Sequence, residues 1–130
     1  MGQVVRTLSD LQNIILEEKR KGRKIVFGNG CFDILHVGHI RYLKGAKALG
    51  DVLIVGINDD VSAKGLGKRE EVITPAAERA EIIAAIDCVD YVILFDEPTV
   101  ETLLLTLRPD VHAKGTDYTE DNVPERHIVR

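Results

Sequence analysis

The chain lacks the residues that would mark it for export or for a membrane. Its two cysteines, Cys31 and Cys88, are too few for a disulfide scaffold and lack the spacing of a metal site. Both are expected to stay reduced thiols in a cytoplasmic protein. No apolar run approaches membrane-spanning length, and Met1-Gly2-Gln3 does not open a signal peptide. Positive charge is also short: 17 Lys and Arg against 21 Asp and Glu leave a net charge of −4. That balance argues against a nucleic-acid partner, although a local basic patch stays open. There is no internal repeat and no low-complexity segment. What is there, 130 residues with 45% hydrophobic and 29% charged side chains, suits one globular domain with one core.

The periodicity alternates between helix and strand. Thr7 to Lys21 is predicted as an amphipathic helix, with Thr7 and Asp10 as a capping box, Leu8, Leu11 and Ile15 as its stripe, and Gly22 as its end. Lys24 to Phe27 is a short strand. Val37 to Leu49 is helical, with Ile40, Leu43 and Lys47 on one side, Gly45 as a weak point and Gly50 as the stop. Val52 to Ile57 is apolar throughout, as a strand covered on both faces would be. Asn58 to Ile73 is polar and lysine-bearing, a loop. Thr74 caps a helix that has Pro75 in its first position and runs to about Ile86. Tyr91 to Phe95 is a third strand, Pro98 to Leu107 a helix closed by Arg108-Pro109, and Asp110 to Ala113 a fourth strand. Beyond Gly115 the composition predicts loop.

Strands alternating with helices imply right-handed crossovers and a parallel sheet. The fold class is therefore α/β, a Rossmann-like three-layer sandwich. In such sheets ligands bind beyond the carboxyl ends of the strands. Three polar segments converge there: GNGCFDILHVGH (Gly28 to His39), NDD (Asn58 to Asp60) and KGTDY (Lys114 to Tyr118).

The first segment carries the chemistry. Gly28, Gly30 and Gly38 allow close backbone approach to a ligand or a positive φ, and the N–H groups of Cys31 and Phe32 can face phosphate oxygens. His36 and His39, three apart on a helical turn, point the same way at a helix N-terminus that favours anions. Their ring N–H groups can stabilise charge at a reacting phosphorus. Gly38 leaves room for a flat base. Other readings stand beside this one. Two histidines at this spacing are often only surface residues, and as a zinc site they have Asp33 as the one close third ligand. Cys31 reads as a small packing residue.

With these residues in view, HVGH (His36 to His39) resembles the HxGH signature of the nucleotidyltransferase superfamily, and Asn29 to Asn58 resembles its cytidylyltransferase-like branch. NGCFD, ERAEIIAAI (Glu78 to Ile86), VDYVILFDE (Val89 to Glu97), RPDV and KGTDY are most similar to the heptose-1-phosphate adenylyltransferases. The resemblance implies a single nucleotidyltransferase domain over residues 1–130. It implies transfer of AMP from ATP to a sugar 1-phosphate, with release of pyrophosphate and formation of ADP-heptose for lipopolysaccharide. Mg²⁺ would accompany the triphosphate. A cytidylyltransferase using CTP and glycerol 3-phosphate, and a nucleotide-binding module without turnover, are the alternatives. A homodimer and a separate heptose kinase are compatible partners.

Carried over to this chain, the resemblance makes His36 and His39 the catalytic pair, with Gly30, Cys31, Phe32 and Gly38 along the phosphates. Asp33 braces the turn or the acceptor side, or else caps the helix. Lys44 reaches phosphate or is a solvated lysine. Lys64 and Lys68, with Arg69, would close over the phosphates. Arg79 is an acceptor-phosphate ligand or an ion-pair partner. Lys114, Gly115 and Asp117, supported by Tyr118, hold the base and ribose. Two departures from the family pattern are expected to matter. Thr116 stands where KGGDY has its second glycine, and no Ser/Thr-rich phosphate-binding segment follows Val123 to Arg126.

Overall fold

The computed structural model describes residues 2–30, 32, 35–58, 75–95, 100–113 and 127–128. Six strands form one sheet: β1 (Gln3–Val5), β2 (Ile25–Gly30), β3 (Val52–Asn58), β4 (Tyr91–Phe95), β5 (Val111–Ala113) and β6 (His127–Ile128). The helices are α1 (Leu8–Arg20), α2 (Val37–Lys47), α3 (Ala76–Ala84) and α4 (Val100–Leu107). The strand order is β1-β4-β3-β2-β5-β6. The first five strands are parallel, and β6 pairs antiparallel with β5.

The layers follow from the alternation of side chains along each strand. Val26, Leu53, Val55, Ile57 and Val92 point to one face, where Tyr42, Leu43 and Ala46 of α2 and Ala80, Ile83 and Ala84 of α3 cover them. Ile25, Phe27, Val52, Ile54, Ile93 and Phe95 point to the other, under Leu11 and Ile15 of α1 and Leu103 and Leu107 of α4. The expected Rossmann-like sandwich is therefore present, but it has two cores, one per face, where composition alone suggests one. Every residue of β3 is buried, as its unbroken apolar run required.

Local sequence explains most element ends. The Thr7 Oγ1 accepts from the Asp10 N–H at 3.1 Å and opens α1. Gly22, at φ +80°, closes it, and its N–H donates to the Lys19 carbonyl. At the amino ends of the strands, aspartates accept from backbone N–H groups: Asp51 from Lys24, Asp90 from Leu53 and Asp110 from Ile25, each at 2.7 to 2.8 Å. Lys47, at the end of α2, also reaches Asp90 at 2.6 Å.

Five expectations need correction. The first strand runs on through Gly28, Asn29 and Gly30, which pair in register with Val55, Gly56 and Ile57. Glycine there suggests a loop, yet neither Gly28 nor Gly30 has a positive φ. Secondly, the buried face of α2 is His39, Tyr42, Leu43 and Ala46, with Ile40 and Lys47 only partly covered. His39 turns inward because its ring packs on Phe32. Thirdly, Pro75 holds the cap position of α3, with extended ψ of 149°, and the helix ends at Ala84 rather than Ile86. Fourthly, β6 lies where the composition predicts loop. Lastly, β1 has no counterpart in the sequence pattern; three residues show no period, and pairing with Tyr91 to Ile93 of β4 makes them a strand. The expected helix starts at Thr74 and Pro98 lie outside the described residues.

Candidate functional site

Chain order places the site. From β2 the sheet grows to one side through β3 and β4; β5 then lands on the opposite side of β2. The order thus reverses between β2 and β5, and ligands of open α/β sheets bind beyond the carboxyl ends of the strands at such a point. There β2 ends in Gly28-Asn29-Gly30 and β5 in Ala113. The far end of α2 is tied to the opposite edge through Lys47 and Asp90, so its N-terminus points at this crevice.

His36 and His39 build that N-terminus together. His36 is the cap residue, with extended backbone (φ −140°, ψ 178°). Its Nδ1 accepts from the Gly38 N–H at 3.0 Å, and the His39 Nδ1 accepts from the His36 N–H, also at 3.0 Å. The two rings lie with centroids 4.0 Å apart. This is a capping box made of imidazoles. An acceptor nitrogen carries no proton, so each neutral ring holds its hydrogen on Nε2. The pair thereby becomes two Nε2–H donors at a helix end that favours anions.

The rings differ in setting. His36 is exposed; His39 is 7% exposed. Burial, and secondarily the neighbouring His36, lower the pKa of His39 below that of an ordinary histidine. The Phe32 ring lies 5.4 Å from the His39 ring, and Phe32 itself has φ +53°, a left-handed backbone on a non-glycine residue.

None of Gly28, Gly30 and Gly38 has a positive φ, and each is also met closely by a side chain of the protein. A Cβ on Gly38 would lie 2.7 Å from the His36 ring, so this glycine makes room for the cap. A Cβ on Gly30 would lie 3.0 Å from the Phe32 ring, and one on Gly28 would lie 2.5 Å from the Tyr42 hydroxyl. These are close approaches of protein to protein, and the one positive φ of this stretch among the described residues falls on Phe32.

Gly30, Phe32, His36, Gly38 and His39 are thus brought together. Lys44 is not: it is exposed on the half of α2 nearer the amino edge, where its charge acts on the Cys88 thiol. Arg79 stands in the first turn of α3. That helix ends against Gly2 at the amino edge, so its first turn faces the carboxyl edge. Arg79 is 1% exposed and is not without a partner. Cys31, Asp33, Lys64, Lys68, Arg69, Lys114, Gly115, Thr116, Asp117 and Tyr118 lie outside the described residues.

Sequence reasoning passes over Tyr42 and His112. Tyr42 is buried on α2, and its hydroxyl donates to the Ala113 carbonyl at 2.8 Å. Its signal is an aromatic about one turn beyond His39. His112 pairs through Nε2 with the Asn29 Oδ1 at 2.8 Å across β5 and β2; nothing in the sequence joins residues 83 positions apart.

A cleft of about 490 Å³ at the amino edge has the opposite character. Glu18, Asp51 and Asp90 line it; Glu18 is held by Arg23 and by the Tyr91 hydroxyl, and burial raises the Tyr91 pKa. A phosphate there would meet three carboxylates beside Arg23, whereas the end of α2 offers imidazole N–H donors.

Comparison with known proteins shows the family. The family model described as cytidylyltransferase-like matches residues 27–129. Two relatives named bifunctional protein HldE are from Geobacter metallireducens and Geobacter sulfurreducens. They are 50% and 49% identical over 125 residues, 96% of this chain and 26% of theirs. The chain therefore spans about a quarter of the length of these curated relatives. A solved structure, a lipopolysaccharide core biosynthesis protein from Thermoplasma volcanium GSS1, superposes with a TM-score of 0.69 at 36% identity. The match covers 78% of this chain and 82% of that one. With the Rossmann-like fold, the imidazole-capped helix and a match over most of its length, the chain belongs to the cytidylyltransferase-like family of nucleotidyltransferases.

Proposed function

We propose that the chain transfers AMP from ATP to a sugar 1-phosphate, a heptose 1-phosphate by the resemblance of its motifs, releasing pyrophosphate and forming ADP-heptose. The observation that carries this reading is the reciprocal histidine cap, which turns two imidazoles into fixed N–H donors at a helix N-terminus. An oxygen of the sugar phosphate attacks the α-phosphorus in line. The new P–O bond forms as the bond to the bridging oxygen breaks, and pyrophosphate leaves with that electron pair. His36 and His39 donate through Nε2 to phosphoryl oxygens whose charge rises during transfer. The lowered pKa of His39 suits this role: a neutral ring keeps its cap while offering one donor.

Mg²⁺ would enter with the triphosphate. Among the described residues no group of three or more His, Cys, Asp or Glu side chains could hold a metal ion. Mg²⁺ bound to a triphosphate keeps phosphate oxygens and several waters among its ligands. No helix among the described residues is long and apolar enough to cross a membrane.

The test is pyrophosphate release with ATP or CTP, each offered with heptose 1-phosphate or glycerol 3-phosphate. Release with ATP and the heptose is expected, and a clear preference for CTP refutes the assignment. His39→Ala is expected to lower kcat by about 10²- to 10³-fold while nucleotide affinity changes little. An unchanged kcat removes His39 from the mechanism.

A further inference from the structure

Tyr42 lies on the buried face of α2, about one turn past His39. Its hydroxyl donates to the carbonyl of Ala113, the last residue of β5. The strand between them allows this contact. Gly28 of β2 is in register with Ala113, and a Cβ on Gly28 would fall 2.5 Å from the hydroxyl oxygen. Glycine at that position opens a notch through which the helix reaches the neighbouring strand.

The same ring is tied to the histidines. Phe32 stacks on Tyr42 with centroids 6.5 Å apart at 27°, and it also meets the His39 ring at 5.4 Å. His39 in turn accepts from the His36 N–H. The order His36, His39, Phe32, Tyr42, Ala113 is an unbroken run of contacts from the helix cap to the end of β5. Phe32 holds a left-handed backbone within it, a conformation that persists only where surroundings enforce it.

We infer that Tyr42 is a positioning residue for nucleotidyl transfer: it holds the histidine-bearing helix in register with the strand end at Ala113. This rests on the reaction proposed above. Two walls of one crevice then keep a fixed spacing, and the histidine donors meet the reacting phosphorus without a search. Misplacement of such groups by about 1 Å can cost on the order of 10²-fold in rate. A tyrosine that merely filled the core would affect stability alone.

The experiment is Tyr42→Phe, which keeps the ring and removes the hydroxyl. Expected is a fall in kcat of about tenfold or more, with the KM for ATP within about threefold of its starting value. Ile15→Val, in the core under α1, is the stability control; it lowers the melting temperature and leaves kcat alone. An unchanged kcat in Tyr42→Phe overturns the inference, and so does a loss that merely follows the folded fraction. A second readout is independent of turnover. In the protein without ligand, Tyr42→Phe is expected to move the ring C–H resonances of His39 and their titration midpoint, through Phe32. Unmoved His39 resonances overturn the positioning role. A starting protein that releases no pyrophosphate with any substrate pair refutes the reaction, and the His39 resonances then decide the coupling by themselves.

Discussion

Replacing Gly28 by alanine should unsettle the molecule in a way that a second replacement repairs. The added methyl would stand 2.5 Å from the Tyr42 hydroxyl oxygen and 3.3 Å from the ring carbon that bears it. No real Cβ tolerates the first distance, so the hydroxyl must leave the Ala113 carbonyl. Overpacking costs about 1–3 kcal/mol, and a buried carbonyl left without its donor costs about 1–3 kcal/mol more. Alanine returns about 0.4–1 kcal/mol by narrowing the unfolded ensemble, since Gly28 lies in ordinary strand backbone. The net expectation is a loss of about 1–6 kcal/mol. In a Tyr42→Phe background the offending oxygen is gone, and a ring tilt of a few tenths of an ångström admits the methyl. There Gly28→Ala should cost about 1 kcal/mol or less. Urea unfolding of the four proteins measures both steps as midpoint shifts at constant slope, and a coupling of at least about 1 kcal/mol is expected. Equal cost in the two backgrounds would refute the notch, and with it the need for a glycine at position 28.

Two further outcomes are expected. Because the pKa of His39 is lowered in the folded protein, the unfolded chain binds more protons below about pH 6.5. The contribution is complete above that pH and is lost as the pH falls through the unfolded value toward the folded one. His39→Gln keeps an acceptor for the His36 N–H and should flatten the dependence of stability between about pH 7 and 5; an identical profile would contradict the lowered pKa. Arg108, exposed at φ +50° after α4, carries the strain of a left-handed backbone. Arg108→Gly should raise stability by about 0.5–1 kcal/mol, because the Lys19 bond is to the Arg108 carbonyl and survives; thermal melting checks this, and a lower melting temperature contradicts it.

The parts of the fold written in local pattern were legible. VLIVGI reads as a strand buried on both faces and YVILF as a strand, and the α1 stripe Leu11 and Ile15 faces the core as its spacing required. What escaped depends on distant partners. Gln3 to Val5 becomes a strand through β4, and His127-Ile128 through β5. The site was half legible. HVGH marks the histidines, but the exchange of their Nδ1 bonds needs coordinates. The glycines stand out in the sequence, but the room they give the Tyr42 hydroxyl and the Phe32 and His36 rings does not, because side-chain fits of this kind are not written in a glycine's own neighbours. Lys44 illustrates the reverse, a residue close in sequence to the histidines and turned toward the other edge.

The division of the interior into two apolar layers bears on how this molecule can change. Phe32 and Tyr42, which touch the histidine pair or its neighbour, belong to the layer under α2 and α3. The layer under α1 and α4, from Leu11 to Leu107, sends no side chain to that pair among the described contacts. Substitutions that conserve its volume can therefore raise or lower heat tolerance while the packing around the histidine pair stays as it was. A lineage drifting toward hotter or colder habitats has a region in which to adapt without disturbing the imidazole cap of α2.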